Sequence, residues 1–474
     1  MKKVLAILLV FCMSIAMAGC GDEATSSELD YDVNYGNEEI GAIEDDGDTV
    51  VVEKDETTVI KGSAAEYDFG DIKLEYGINE SKKTTFLESV PKKLSGQEVS
   101  ILIWWNPFDY EKQKWKKFEE ATGIKIKPIY VTNDEYMQRL SALKASGNSP
   151  DIANIRSANY PSAIMQDYFQ PLSNGKLSLD PKVFDIETMD KLKWNGKRYG
   201  AIVKGTTYIT MALMLYNADM FNKYGVTEPY TLWKEGKWTW DTMVSTAKTI
   251  QTKSGVTALT AEYHGWRLAQ TCGEDAVAIK NGKLTNNLNS STYRNALKWI
   301  NDLQMNGQHK IADFGINRAG FMSGKAAMQV DETWALQAGE RYKDVSFTLG
   351  YVPLPCKTNK TVVPAEAQLW GFPVGAKHTE AAGYVLEYWH NPQFNEAGYE
   401  IWINDSVASF VQILWEQPKA LKTSSGVVEY GGDYTWDTMF YDTAASSREN
   451  IDSVIDKWSG VIDANIKKIY KEFG

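Results

Sequence analysis

From about residue 97 the apolar and polar positions settle into two alternating rhythms. The run "EVSILIWW" (98–105) is apolar enough for a buried strand. "DYEKQKWKKFEEATG" (109–123) then sets Trp115, Phe118 and Ala121 on one helical face, with Asp109 as a candidate cap and Gly123 as the stop. "IKIKPIYV" alternates like a strand interrupted at Pro128. "NDEYMQRLSALKASG" puts Tyr136, Met137, Leu140 and Leu143 on a second helical face that ends at Gly147, and "PDIANI" reads as the next strand. A strand–helix–strand–helix–strand order predicts a mostly parallel sheet covered by helices. In such sheets ligands sit beyond the carboxyl ends of strands, which is where Trp105 and Asn106, and then Arg156 and Asn159, fall. Neighbouring strand residues point to opposite faces, so Trp104 and Trp105 cannot share one core. One ring is expected to pack and the other to line a cleft.

The chain has 474 residues, enough for two domains of ordinary size. It opens "MKKVLAILLVFCMSIAMAGC", with Lys2 and Lys3 before about 13 apolar residues, too few for a membrane-spanning helix and apt for a signal peptide. The ending Met17-Ala18-Gly19-Cys20 resembles a bacterial lipoprotein cleavage box, with Met where Leu is usual. That resemblance implies a signal peptide over 1–19, a lipidated Cys20 and a protein tethered at the extracellular face of the cell membrane.

Charge is unevenly shared. Residues 22–56 hold 14 acids and Lys54, while residues 57–474 carry a net charge of only −1. An acid-rich stretch poor in apolar residues does not collapse, so 20–95 is expected to be a largely disordered tether. The neutral body gives no electrostatic case for nucleic acid. Asp45-Asp46-Gly47-Asp48 lacks calcium-loop spacing. Gly320, Gly324 and Lys325 lack phosphate-loop spacing, and Ala326 stands where a hydroxyl is needed. The four histidines are scattered, and neither a metal nor a cofactor is expected. Cys272 and Cys356 fit one disulfide or two buried thiols; a body of this size needs no staple, which favours thiols.

Six segments occur in a familiar order: "ILIWWNPFDYEKQKWKKFEEATGIKI", "GNSPDIANI", "WNGKRYGAIVKGTTYITMALMLYNADMFNKYG", "WTWDTMVSTAKTI", "FMSGKAAMQVDETW" and "GFPVGAKHTEAAGYVLEYW". Behind a lipoprotein signal, this order resembles the sugar-binding type of extracellular solute-binding proteins of bacterial ABC importers. The resemblance implies an α/β, two-lobe periplasmic-binding-protein-like fold of type II. Each lobe would be a mostly parallel sheet flanked by helices, with a hinge between them. Residues 96–207 and 319–366 would form lobe 1, and 208–318 and 367–474 lobe 2. Crossings would fall near 205–212, 312–320 and 364–372.

It further implies a monomer that binds a small-molecule carbohydrate, closes over it and delivers it to the transmembrane subunits of an ABC permease, without enzymatic activity. Ligand contacts carry over to Trp105, Asn106, Asp109, Arg156 and Asn159 in the first lobe and to Tyr208 at the first crossing. Tyr263 and Trp266 carry over in "EYHGWRLAQTCG", Asp331 and Trp334 in "MQVDETW", and Glu366, Gln368 and Trp370 at the last crossing. Trp238, Trp240, Tyr216 and Asn217 match structural positions. The family's carboxylate before the "YN" strand is missing; Thr206 to Thr210 stand there.

These residue types suit a sugar. A pyranose has apolar C–H faces and a rim of hydroxyls, so rings cover the faces while Asp, Asn, Glu and Arg bond hydroxyls in pairs. The 16 tryptophans and 25 tyrosines exceed what two cores need. Two other readings stay open: a secreted glycoside hydrolase, for which Asp331 with Glu366 would be the carboxylate pair, and the same trap holding a peptide or polyamine. Helix capping competes for Asp109 and a surface ion pair for Arg156.

Overall fold

Among the described residues of the computed structural model, thirteen short strands follow one another: β1 (Glu98–Ile103), β2 (Lys125–Tyr130), β3 (Ile152–Ile155), β4 (Phe169–Gln170), β5 (Ile209–Asn217), β6 (Thr257–Thr260), β7 (Val277–Lys280), β8 (Lys283–Asn286), β9 (Ala326–Glu332), β10 (Leu349–Pro353), β11 (Val363–Ala367), β12 (Leu369–Pro373) and β13 (Lys419–Leu421). The longer helices are α1 (Glu80–Ser89), α2 (Lys112–Thr122), α3 (Tyr136–Ala145), α4 (Trp240–Ser254), α5 (Ser291–Met305), α6 (Thr379–His390), α7 (Asp405–Glu416), α8 (Trp436–Ala445) and α9 (Ile451–Phe473). The structure describes residues 64–473 except 71–78, 105–111, 133, 205–208, 281, 306–309, 338–341, 343–344, 392–393, 395–401, 424 and 431–434. The signal peptide, Cys20, Trp105, Asn106, Asp109 and Tyr208 therefore lie outside the described residues, as does the side chain of Tyr263. Among the described residues no helix is long and apolar enough to cross a membrane.

Two sheets carry the fold. The first has the order β2-β1-β3-β12-β4 and the second β13-β11-β5-β9-β6, with β10 also paired to β5. β1, β2 and β3 run parallel, as the strand–helix alternation predicts. Each sheet also contains one reversed strand: β12 is antiparallel to β3, and β5 is antiparallel to β9, β10 and β11. β5 follows β4 of the first sheet in the chain, and β12 follows β11 of the second, so each reversed strand comes next in chain order after a strand of the other sheet.

The expected division of the lobes is redrawn by this pairing. β9, β10 and β11 hydrogen-bond in the sheet of β5, whereas β12 returns to the sheet of β1. Strands β9, β10 and β11 thus belong with the second sheet and β12 and α6 with the first, and near 312–320 the described residues stay beside the second sheet, where Ala312 bridges to Leu259. The crossing expected within 364–372 is a single residue, Gln368, between β11 and β12. A one-residue step leaves no glycine-rich or polar stretch in the sequence to mark it.

The helices follow their apolar stripes. In α2, Trp115, Phe118 and Thr122 are buried at i, i+3 and i+7, whereas Ala121 is exposed, contrary to expectation. Thr122 tolerates burial because its hydroxyl donates to the Phe118 carbonyl at 2.8 Å. Trp115 and Phe118 pack against Tyr388 of α6, their ring centroids 6.1 and 4.7 Å from it. α4 opens with a capping box, Thr239 and Thr242 each bonding the other's backbone N–H, and ends at Gly255 with φ +76°. Trp238 and Trp240 pack as expected: both are buried, Trp238 donates to the Pro353 carbonyl and Trp240 to the Thr271 hydroxyl, each at 2.9 Å. Tyr216 and Asn217 are likewise buried in β5. Cys272 and Cys356 are free thiols, and burial pushes the first up to about 11.

The stretch read as a tether is folded at 64–70 and 79–95. Ala64 pairs with Leu349 of β10, the Tyr67 amide donates to Ser406 Oγ at 2.7 Å, and the Tyr67 ring stacks on Tyr230 at 3.7 Å. The Tyr67 hydroxyl bonds those of Tyr216 and, at 3.3 Å, the Glu228 carboxylate. α1 instead lays Phe86 against Tyr384 and Tyr388 of α6. The aromatic residues that anchor this segment lie outside the acid-rich block, which explains the difference.

The Tyr216 ring leaves no room above its partner strand. A Cβ at Gly350, directly opposite in β10, would stand 2.2 Å from the ring. Gly350→Ala is expected to destabilise the protein by about 1–3 kcal/mol, since the ring is pinned through its hydroxyl. Urea unfolding checks this; an unchanged midpoint would contradict it.

Candidate functional site

Polar side chains gather around the Gln368 step. Glu366, two residues before it on β11, accepts from Ser157 Oγ, from Arg267 Nη2 at 3.3 Å and from Lys422 Nζ at 3.2 Å. Ser157 opens the turn after the carboxyl end of β3, so its bond to Glu366 joins the two sheets directly. Arg267 heads the short helix Arg267–Gln270, and Lys422 follows β13, which pairs in parallel with β11. Glu429 and Asp437 come from the chain just beyond. Glu429 accepts the Trp436 amide at 3.2 Å, and Trp436 and Asp437 begin α8 behind the cap Thr435.

Aromatic rings back these charges. The Arg156 guanidinium lies 5.6 Å from the Trp104 ring centroid. Trp266 is overlaid by Arg267 at 4.1 Å and Lys422 at 4.8 Å, with the Trp436 ring edge-on at 5.5 Å. These cation–ring contacts are strongest where water is excluded.

A second group sits deeper in the second sheet. Arg267 donates through Nε to Glu332 at 2.7 Å and also through Nη2. Trp334 Nε1 donates to the other Glu332 oxygen at 3.0 Å. His264 lies 3.6 Å from Glu332 and 3.5 Å from Asp331. Asp331 is fully buried and accepts from Arg318 at 2.9 Å, Tyr342 at 2.6 Å, Gln329 at 3.2 Å and the Glu332 amide at 2.8 Å.

The electrostatics follow from these partners. Burial pushes the Glu332 carboxyl up, but the Arg267 guanidinium and His264 outweigh it and hold it well below the usual carboxylate range. Glu366 is held lower too, because Lys422 and Arg267 outweigh its burial. Glu429 is raised by burial, which the Trp436 amide and nearby Lys422 only partly offset. Burial pulls the Arg156 guanidinium below its ordinary value, with Tyr136 and Glu366 opposing. Among the described residues no cluster of His, Cys, Asp or Glu could hold a metal ion.

The expected site residues thus divide. Arg156, Trp266 and Glu366 come together at the step, and Gln368 is half-buried within it. Asn159 ends the turn opened by Ser157 and is half-buried, as is Trp334, beneath the Arg318 guanidinium at 5.5 Å. Trp266 is only 5 % exposed, so its faces are covered by cations and rings rather than open as a platform. Asp331 is enclosed by its own ion pair and hydrogen bonds, which leaves it unsuited to act as an acid or nucleophile beside Glu366. Trp370 is the clearest correction: it is 1 % exposed, 4.9 Å from the Trp389 ring and 5.7 Å from His390, inside the core beneath α6. Ser157, Arg267, Glu332, Lys422, Glu429 and Asp437 escaped the sequence reading. The first three adjoin residues it chose, but nothing in "KALKTSSGVVEY" marks Lys422 before β13 is seen to lie against β11.

Solved structures share this fold. The cyclic α-maltosyl-1,6-maltose binding protein of Arthrobacter globiformis has a TM-score of 0.61 at 14% identity, covering 78% of this chain and 99% of that one. The maltose-binding periplasmic protein MalE of Listeria monocytogenes, solved with maltose, has 0.59 at 17%, covering 78% and 98%. The GacH receptor of Streptomyces glaucescens, solved unliganded and with acarbose, has 0.56 at 19%, covering 80% and 100%. No curated protein matches the sequence. A family model described as bacterial extracellular solute-binding protein matches residues 114–409, more than half of the chain. Two sheets joined through a polar step thus coincide with a family match across both, and the chain belongs to the bacterial extracellular solute-binding proteins.

Proposed function

We propose that this protein is the substrate-binding component of an ABC importer and captures a neutral sugar or oligosaccharide, without turning it over, for delivery to the membrane permease. What carries this reading is the cluster at the Gln368 step, where Arg156 and Ser157 from one sheet meet Glu366, Arg267 and Lys422 from the other. Opposed carboxylates and cations beside aromatic rings suit an uncharged ligand rich in hydroxyls. That the solved relatives bind maltose, cyclic α-maltosyl-1,6-maltose and acarbose supports the same ligand class.

Closure is the working step. A ligand touching both sheets binds the closed arrangement better than the open one, and occupancy shifts the population toward closure. The permease then distinguishes loaded from empty protein by shape. Cys20, lipidated, holds the monomer at the extracellular face of the membrane, and the acidic stretch lets it reach its partner.

A thermal-shift panel of neutral mono- and oligosaccharides tests the reading. At least one is expected to raise Tm by about 3 °C at a hundredfold excess over Kd, with no sugar released. Release of product would make the protein a hydrolase, and a rise with peptides alone would change the cargo.

A further inference from the structure

We infer that Lys422 determines specificity: its ammonium already occupies a cation position at the Gln368 step, over the Trp266 indole and against Glu366, and thereby restricts the ligand to uncharged polyhydroxyl molecules. This rests on the sugar reading and deepens it. The backbone fixes Lys422 on both sides. Its amide donates to the Ala365 carbonyl at 2.8 Å, and the next residue, Thr423, donates to Asp275 Oδ2 at 2.7 Å and to the Val277 carbonyl at 2.5 Å. The side chain spans from there to Glu366, 3.2 Å away, with its ammonium 4.8 Å from the Trp266 centroid.

An ammonium over an indole with carboxylates around it is the arrangement by which proteins bind amines. Here the chain supplies the amine itself. Glu332, Glu366, Glu429 and Asp437 stand among the cations Arg267, Arg156 and Lys422. Arg267 is committed to Glu332 and Glu366, Arg156 lies near Glu366 and Glu429, and Lys422 bonds Glu366 and lies near both Glu429 and Asp437. Glu429 is already raised by burial. A positively charged ligand entering this space meets Lys422 as a like charge and loses, whereas a hydroxyl can bond Lys422 and Glu366 without displacing either. Without the ammonium, Glu366 and the Trp266 ring each keep Arg267 but lose their second cation, and a ligand amine can take its position.

The test compares the full chain with Lys422→Met, Lys422→Gln and Lys422→Arg by calorimetry. Putrescine and a glucosamine disaccharide serve as amine probes, and the neutral glycans as reference. Lys422→Met and Lys422→Gln are expected to bind the amines at least about tenfold more tightly than the unaltered protein, and Lys422→Arg to exclude them as before. Equal amine affinity in all four proteins overturns the inference. Failure of both neutral variants to fold also overturns it, because Lys422 would then be a structural ion. The glycan reference is independent: if no glycan binds the unaltered protein, the sugar reading fails, and the gain of amine binding still decides the role of Lys422.

Discussion

Replacing Arg267 by Met is expected to lower the unfolding free energy by about 3–5 kcal/mol at neutral pH, because it strands buried carboxylates. Arg267 is fully buried and bonds Glu332 through two nitrogens and Glu366 through one. Met replaces the volume but leaves Glu332 in the sheet without the guanidinium that outweighs its burial. The sign of the pH dependence follows. In the unaltered protein Glu332 is depressed, so its contribution to stability is present above the ordinary carboxylate range and fades as pH falls through its folded value. In Arg267→Met, burial prevails and the carboxyl rises. The penalty is then largest at neutral pH and shrinks in mild acid, as the group protonates. Urea unfolding of both proteins at neutral and mildly acidic pH measures this; a deficit independent of pH would mean that lost packing, not a stranded charge, sets the cost.

The second large effect separates packing from recognition. Trp370→Ala is expected to cost about 3–5 kcal/mol by opening a cavity among Trp389, His390 and the first sheet. The loss should appear equally with and without sugar, with an unchanged slope in denaturant. Near-normal stability combined with lost ligand binding would return Trp370 to the site and contradict its placement in the core.

The sequence made some of this legible and hid the rest for physical reasons. Strand β1 and helix α2 could be read because a buried strand is continuously apolar and a helix repeats its apolar face every three or four residues. Ala121 was misread because either Ala or Thr can end such a stripe; the choice rests on a hydroxyl-to-carbonyl bond that no pattern displays. The lobe boundaries were misplaced because a strand changes sheets at Gln368 without changing composition. Trp266 and Trp370 look alike in sequence, yet one sits beneath two cations and the other beneath α6. Family likeness located the Gln368 step, but the cations that complete it come from strand pairings of distant segments, β13 beside β11 above all.

The amino-terminal strap sets where a mechanical load enters. A pull on the chain ahead of Ala64 reaches the Leu349 bridge, the Ser406 bonds and the Tyr67–Tyr230 stack before it can reach α1. The second sheet takes the tension first, and the first sheet receives it only afterwards, through the bonds at the Gln368 step and through α1.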